Sequence, residues 1–425
     1  MILGVGKRLK STGGWDLFRR LGPGLITGAA DDDPSGIATY SQVGAQFGYG
    51  LAWTMLLSLP LMIVIQAISG TIGCVTGRGI AENLRRHYGS WLVRSIVLLL
   101  VVANVINLGA DIGAMGAALR LLIGGSPHLY SVGFAIVCVL AEVFISYRSY
   151  ARVLKWLTVS LFAYVAVAFA VHLPWGQALH ETLVPHLTLN STSAMALVAV
   201  LGTTISPYLF FWQAGLEVEE RRRRSNLTYC LSVEQAKPQL KRIRLDTAFG
   251  MTFSNLIALF IIYATAATLH AAGVTNIQTS SQAAEALRPI AGIFTFAVFA
   301  TGIIGTGLLA VPVLAGSAAY GLAEVFQWRE GLDLTLVRAK FFYAAITVAT
   351  LSGVALNFTR LDPVRALYWA AVVNGVLAAP VMAAVMLIAS NSKIMGELAL
   401  RPAMKVVGWL ATAVMLVASI GFFVL

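Results

Sequence analysis

Charged residues are scarce in this chain, 12% of 425 residues against 58% hydrophobic, and its mean hydropathy is +0.79. A soluble globular protein carries about twice that share of charge, so a water-soluble fold is excluded and the chain reads as an integral membrane protein in a lipid bilayer. Carboxylates are the rarer charges, 19 Asp and Glu beside 30 Lys and Arg, for a net charge of +11. No soluble basic domain exists to form a groove, so this balance does not predict a nucleic-acid partner. Cysteine is nearly absent, and Cys74, Cys138 and Cys230 lack metal or disulfide spacing, so they read as small apolar residues. No cleavable signal peptide is expected, because the basic start leads into an apolar run longer than an h-region.

Apolar length is what the chain has. Runs able to cross a bilayer, about 20 residues each, occupy 22–48, 51–73, 92–123, 128–147, 153–173, 193–215, 245–269, 290–322, 338–356, 364–389 and 405–424. Their short links leave nothing amphipathic to cover them in water. The expected fold is all-α with about 11 transmembrane helices. Lys7, Arg8, Lys10, Arg19 and Arg20 precede the first run, and alternate loops from there collect 26 of the 30 Lys and Arg, including Arg148, Arg152 and Lys155. That side is cytoplasmic under the positive-inside bias, with the N-terminus on it. Only Arg120, Arg288, Arg360 and Arg365 fall elsewhere. The string ERRRR at 220–224 reads as a solvated helix end near anionic headgroups, and Asn226-Leu-Thr228 is a glycosylation sequon on the wrong side of the membrane.

Two runs are interrupted at mid-span. The first contains GAADDDPSGIATY at 28–40, and the sixth contains Gly202-Thr203-Thr204-Ile205-Ser206-Pro207-Tyr208. Proline removes a backbone donor and frees a carbonyl in a medium without water. One such site is an ordinary packed kink. A pair that opens runs 1–5 and 6–10 predicts two inverted five-helix repeats with a substrate site between the breaks. The expected segments are a cytoplasmic stretch 1–20, a first repeat 21–173, an extracellular loop 174–192, a second repeat 193–389, and 390–425 with a cytoplasmic loop and an added last helix. A carboxylate at mid-membrane costs a few kcal/mol, whereas a carboxylate among freed carbonyls makes a cage of hard oxygen ligands for a cation.

Gly22-Pro23-Gly24, then Asp33-Pro34, then Gly202 with Pro207 resemble the NRAMP family of divalent transition-metal transporters, which has the LeuT-type inverted-repeat fold. The resemblance covers nearly the whole chain, including a polar third helix and a tenth helix with Pro380. It implies a transporter with no cofactor, no obligate protein partner and no enzymatic activity. It also implies metal positions at Asp33, at Gly36 where the family has Asn, at the carbonyls of Ala30 and Thr203, and at Ser206 where the family has a Met sulfur. Asn374 is the candidate for a Gln of the tenth helix. Tyr208 stands where the family has a proton-transferring His, and Asp111 fits the first acid of a helix 3 pair whose second position is Ala114.

These departures point to a hard ion. A thioether selects softer metals, and Ser206 removes it. Gly36 for Asn opens space for an ion that keeps its water, as magnesium does. Tyrosine, with an unperturbed pKa near 10, is a poor proton relay at neutral pH. The pattern matches the NRAMP-related magnesium transporters, so magnesium transport without proton coupling, with manganese also possible as cargo, is the expected function, in a bacterial inner membrane. The alternative is a proton-coupled manganese or iron importer. A sodium-coupled amino-acid transporter is disfavoured by Asp33, and a membrane aspartyl protease built on Asp33 and Asp111 leaves both breaks without a role.

Other polar residues complete the reading. Asn104, Asn107 and Asp111 share one face of the third helix and either line the ion path or glue helices together. Asp31 and Asp32 flank Asp33 on the pathway, one attracting cations and the other capping a half-helix. Glu142 is expected to pair with a nearby base. His172, His180 and His186 read as a solvated external loop rather than a metal site, Gln66 as structural, and Gly302, Gly305 and Gly307 as close helix packing.

Overall fold

The computed structural model describes residues 27–28, 30–145, 157–186, 188, 190–224, 233–358 and 362–425. Among them every regular element is helical: α1 (Pro34–Phe47), α2 (Trp53–Thr76), α3 (Ile80–His87), α4 (Ser90–Ile123), α5 (Pro127–Phe144), α6 (Phe162–Ala170), α7 (Trp175–Leu183), α8 (Ser191–Thr204), α9 (Pro207–Arg224), α10 (Val233–Thr265), α11 (Ser280–Glu285), α12 (Arg288–Ala291), α13 (Thr295–Phe326), α14 (Lys340–Leu356), α15 (Pro363–Ser390), α16 (Ser392–Met395) and α17 (Pro402–Val424). The basic N-terminal residues, Gly22-Pro23-Gly24, Arg148, Arg152, Lys155, Cys230, the sequon and Arg360 lie outside the described residues.

Helix covers part of each of the eleven expected runs. By length and composition alone eight spans qualify among the described residues, or nine if Val159–Ala170 and Trp175–Leu183, bent by 117°, count as one. The difference has local causes. Lys340–Leu356 is shorter than a full span, and most of the first half of helix 1 lies outside the described residues. The expected external loop also contains α7, a nine-residue helix.

Both breaks form where the sequence places them. Asp33 caps α1 and Pro34 occupies its first position, where a missing N–H is harmless to the new helix. α8 ends at Thr204 and α9 restarts at Pro207. The half-helices are held by backbone-to-backbone packing. A Cβ on Gly202 would overlap Ala371 and Gly375 of α15, and a Cβ on Gly375 would overlap Val198 of α8. Only glycine permits helix axes this close. α4 packs against α13, α14 and α15 and so passes beside both breaks.

Two expectations change at the helix ends. The ERRRR string is a solvated end only in part, with Arg222 and Arg223 exposed. Arg221 is buried and its Nη1 donates to the carbonyls of Cys74 at 3.0 Å and Val75 at 2.9 Å, two acceptors that the last turn of α2 leaves open. Arg222 lies 3.9 Å from Glu330, and Arg223 pairs with Asp333, both in the segment after α13. Glu142 is buried on α5, near Tyr343 of α14, and its carboxylate has no hydrogen-bond partner among the described residues. No base stands beside it among the described residues, and Tyr343 gives its hydroxyl proton to the Leu334 carbonyl, at 2.8 Å. The external histidines stay a loop feature: the His180 and His186 rings are 6.3 Å apart, and His186 Nδ1 is 3.6 Å from Glu181. Gln66 is structural, donating to the Leu209 carbonyl at 2.9 Å and to Gln213 at 3.1 Å.

Candidate metal centre between the two broken helices

Each proline at a break orphans one carbonyl. Pro34 has no N–H for the carbonyl of Ala30, four residues earlier, and Pro207 has none for that of Thr203. Two hydroxyls take up the released acceptors. Ser206 Oγ lies 2.8 Å from the Thr203 carbonyl and 2.9 Å from that of Gly202. Tyr208, at the start of α9, reaches across to the other break, where its hydroxyl lies 3.3 Å from the Ala30 carbonyl and 3.2 Å from Asp33 Oδ2. The two breaks are thus joined by one phenol, a role that its reading as a lost proton relay did not anticipate.

Asp33 is the best-supplied carboxylate of the region. Its Oδ1 accepts from the Gly36 N–H and the Ser35 hydroxyl, each at 2.7 Å, and its Oδ2 faces Tyr208. Donors aimed at both oxygens hold the group in one orientation. Gly36 contributes an N–H rather than a ligand atom. The space expected at Gly36 is not open, because a Cβ there would lie 3.1 Å from Thr203 Cγ2 and 3.3 Å from Tyr40. The Thr203 methyl of the facing half-helix fills what a longer side chain would occupy, while Thr203 Oγ1 is buried without a hydrogen bond.

The remaining candidates divide. Asn107 and Asn374 exchange amide hydrogen bonds at 2.9 and 3.1 Å across α4 and α15, so the carboxamide of Asn374 is engaged by its neighbour. Asn104 donates to the Leu314 carbonyl of α13 at 2.9 Å. Both Asn104 and Asn107 therefore join helices. Asp111 differs from them: it is fully buried, neither oxygen has a well-formed hydrogen bond among the described residues, the Ser35 backbone N–H lies near it, and it is within electrostatic reach of Asp33. Asp31 and Asp32 converge on Ser254 of α10, whose Oγ is 2.8 Å from Asp31 Oδ2 and 2.9 Å from Asp32 Oδ1. Ser254 carries no motif or spacing that would single it out in its apolar run.

No three His, Cys, Asp or Glu among the described residues converge as a metal-ligand group. The arrangement instead gathers one carboxylate, two proline-released carbonyls and three hydroxyls, all of them oxygen. Asp31, Asp32, Asp33 and Asp111 form no ion pair among the described residues. Carboxylates buried this way are costly unless a cation or proton offsets them, and oxygen donors around one carboxylate suit a hard or borderline divalent cation.

Residues 24–425 match the sequence profile of the family described as Nramp, natural resistance-associated macrophage protein-like. A divalent metal cation transporter MntH of Klebsiella pneumoniae (strain 342) is 28% identical over 404 residues, covering 93% of this chain and 91% of the relative. Among solved structures, the Eremococcus coleocola manganese transporter, in complex with an aromatic bis-isothiourea compound, superposes with a TM-score of 0.76 at 15% identity, over 98% of this chain and 89% of that one. The nucleobase-cation-symport-1 family transporter Mhp1, in a closed conformation, superposes with a TM-score of 0.52 at 14% identity, over 95% and 90%.

Proposed function

This chain belongs to the Nramp family of membrane transporters, and from that premise we propose that it moves a divalent metal cation across the bilayer by alternating access. The observation that carries the proposal is the pairing of each helix-breaking proline with one released carbonyl, Ala30 or Thr203, the first of which shares the Tyr208 hydroxyl with Asp33. In this reading 21–173 and 193–389 are the two inverted repeats, 174–192 is external, 390–425 adds a cytoplasmic loop and the last helix, and the N-terminal segment 1–20 is in the cytoplasm of a bacterial inner membrane. Asp33 and the carbonyls of Ala30 and Thr203 hold the ion, Ser206 and Tyr208 tune those carbonyls, and Asp111 lies on the path. Asn374 reaches the ion only after leaving Asn107.

The relatives bear on which ion moves. One is named for divalent metal cations and another for manganese, which supports a manganese or iron importer of the proton-coupled Nramp type over the magnesium reading of the sequence. One observation favours magnesium as the second reading. Every candidate donor is oxygen, with Ser206 where a soft sulfur would discriminate. The test is purified protein in liposomes holding dyes for magnesium, manganese and pH. Saturable manganese entry with lumenal acidification, lost in Asp33→Ala, is the result expected of the first reading. Saturable magnesium entry at constant pH would establish the second, and entry of neither ion would overturn both.

A further inference from the structure

Asp31 and Asp32 share a partner, Ser254, that lies 222 residues away from Asp32 in sequence. Their meeting is prepared by an unusual approach of backbones. Gly28, in the first half of helix 1, lies so near Gly250 of α10 that a Cβ would overlap the Gly250 backbone. Ser254, one turn beyond Gly250, lies on the same face of α10. Asp31 and Asp32 lie three and four residues beyond Gly28. The glycine contact therefore sets the separation at which both carboxyl groups reach one Ser254 hydroxyl, whose single proton is donated to one of them while the other lies within hydrogen-bond distance of the same oxygen. Ser254, Asp31 and Asp32 are each 3% exposed or less, so water does not compete for these bonds.

The position of this contact matters for the site. The chain leaves helical geometry at Asp32 and Asp33, where the backbone ladder no longer fixes the direction of the carbonyls and side chains. Ala30 precedes the tied pair and Asp33 follows it. We propose that Ser254 is a positioning residue for the candidate metal centre: by holding Asp31 and Asp32 against α10 it sets where the Ala30 carbonyl and the Asp33 carboxylate stand. This rests on the transport reading above. Among the described residues Ser254 has hydrogen-bond contacts with Asp31 and Asp32 and none with Asp33 or Ala30, so its effect is one of placement and not of ligation.

The experiment compares wild type, Ser254→Ala, Ser254→Thr, Asp31→Asn with Asp32→Asn, and the triple variant, in manganese flux into liposomes. Ser254→Ala removes a hydrogen bond to a charged group, so KM rises about tenfold while the maximal rate changes less than twofold. Ser254→Thr keeps the hydroxyl and stays within about threefold of wild type. Ser254→Ala adds nothing to KM in the Asp31→Asn, Asp32→Asn background. A second readout needs no transport: in a cysteine-free chain carrying Thr27→Cys, a membrane-permeant thiol reagent labels the buried position faster when Ser254 is Ala. An unchanged KM and labelling rate in Ser254→Ala, or an effect additive with the Asp replacements, overturns the proposal. A wild type that moves no divalent ion sinks the transport reading alone, and the labelling rates then still decide whether Ser254 holds the half-helix.

Discussion

Carboxylates meet different company at two levels of this molecule. Toward the helix ends where α2, α9 and α13 finish they face arginine: Glu217 pairs with Arg242, Asp333 with Arg223, Glu82 with Arg86. Between the broken helices Asp31, Asp32, Asp33 and Asp111 meet hydroxyls, one another, and no base among the described residues. Glu217 is as buried as the four aspartates, so between it and them the difference is one of compensation. Where an arginine is built in, the carboxylate's charge is already neutralised and serves to fasten helices. Where none is, the neutralising charge has to arrive from outside, which is the physical requirement for a cation site that fills and empties.

The sharpest way to break the comparison is to remove one carboxylate from each level. Asp33→Ala deletes the group on which the Gly36 N–H, the Ser35 hydroxyl and the bridging phenol converge. Initial flux is expected to fall by more than about 100-fold with little change in melting temperature. At the other level, Arg242→Ala leaves Glu217 buried and unpaired. Glu217 is 1% exposed and Arg242 16%, so a loss of about 2 kcal/mol in stability is expected. Adding Glu217→Gln should recover most of it. If Arg242→Ala impaired flux more than stability, the arginine-paired carboxylates would belong to the ion path and the contrast would fail.

A smaller effect sharpens the contrast inside the site. Ser206→Met replaces a hydroxyl with a thioether and returns the Gly202 and Thr203 carbonyls, now without their 2.9 and 2.8 Å donors, to the ion. The manganese-to-magnesium flux ratio should rise about tenfold. An unchanged ratio would mean that residue 206 does not face the ion.

Much of this layout is readable in the chain itself, because proline in an apolar run has one local meaning, and Asp33-Pro34 and Ser206-Pro207 both form the breaks expected of them. What stayed illegible is pairing over long separations. The Asn107–Asn374 exchange, the Ser254 bridge and the Arg223–Asp333 pair join residues more than 100 positions apart, and no periodicity within one run announces its partner in another. Tyr208 was legible as a substitution but not as a tie, since its reach across to Ala30 depends on how the half-helices oppose. The Gly36 position misled for a similar reason: a missing side chain predicts space only if nothing from the facing helix moves in, and the Thr203 methyl does.

The smallest expected effect probes a carboxylate between the two extremes. Glu330, outside the membrane-spanning helices, is largely buried with Arg222 3.9 Å away, close enough to attract but too far for a hydrogen bond. Burial pushes its carboxyl from the ordinary 4.5 to about 8; Arg222 opposes the shift, and Glu82 and Glu219 add to it. Between those two values the folded chain holds a proton that the unfolded chain has released, so folding is linked to proton uptake and stability falls as pH rises through that window. The melting temperature in detergent should therefore decline from pH 5 toward pH 8, and Glu330→Gln, which cannot ionise, should flatten part of the decline. If the slope is the same in Glu330→Gln, Arg222 compensates Glu330 as fully as Arg242 does Glu217, and the arginine-paired level is uniform. If it flattens, compensation by arginine is graded with distance, and the uncompensated carboxylates beside the breaks are the far end of that gradient.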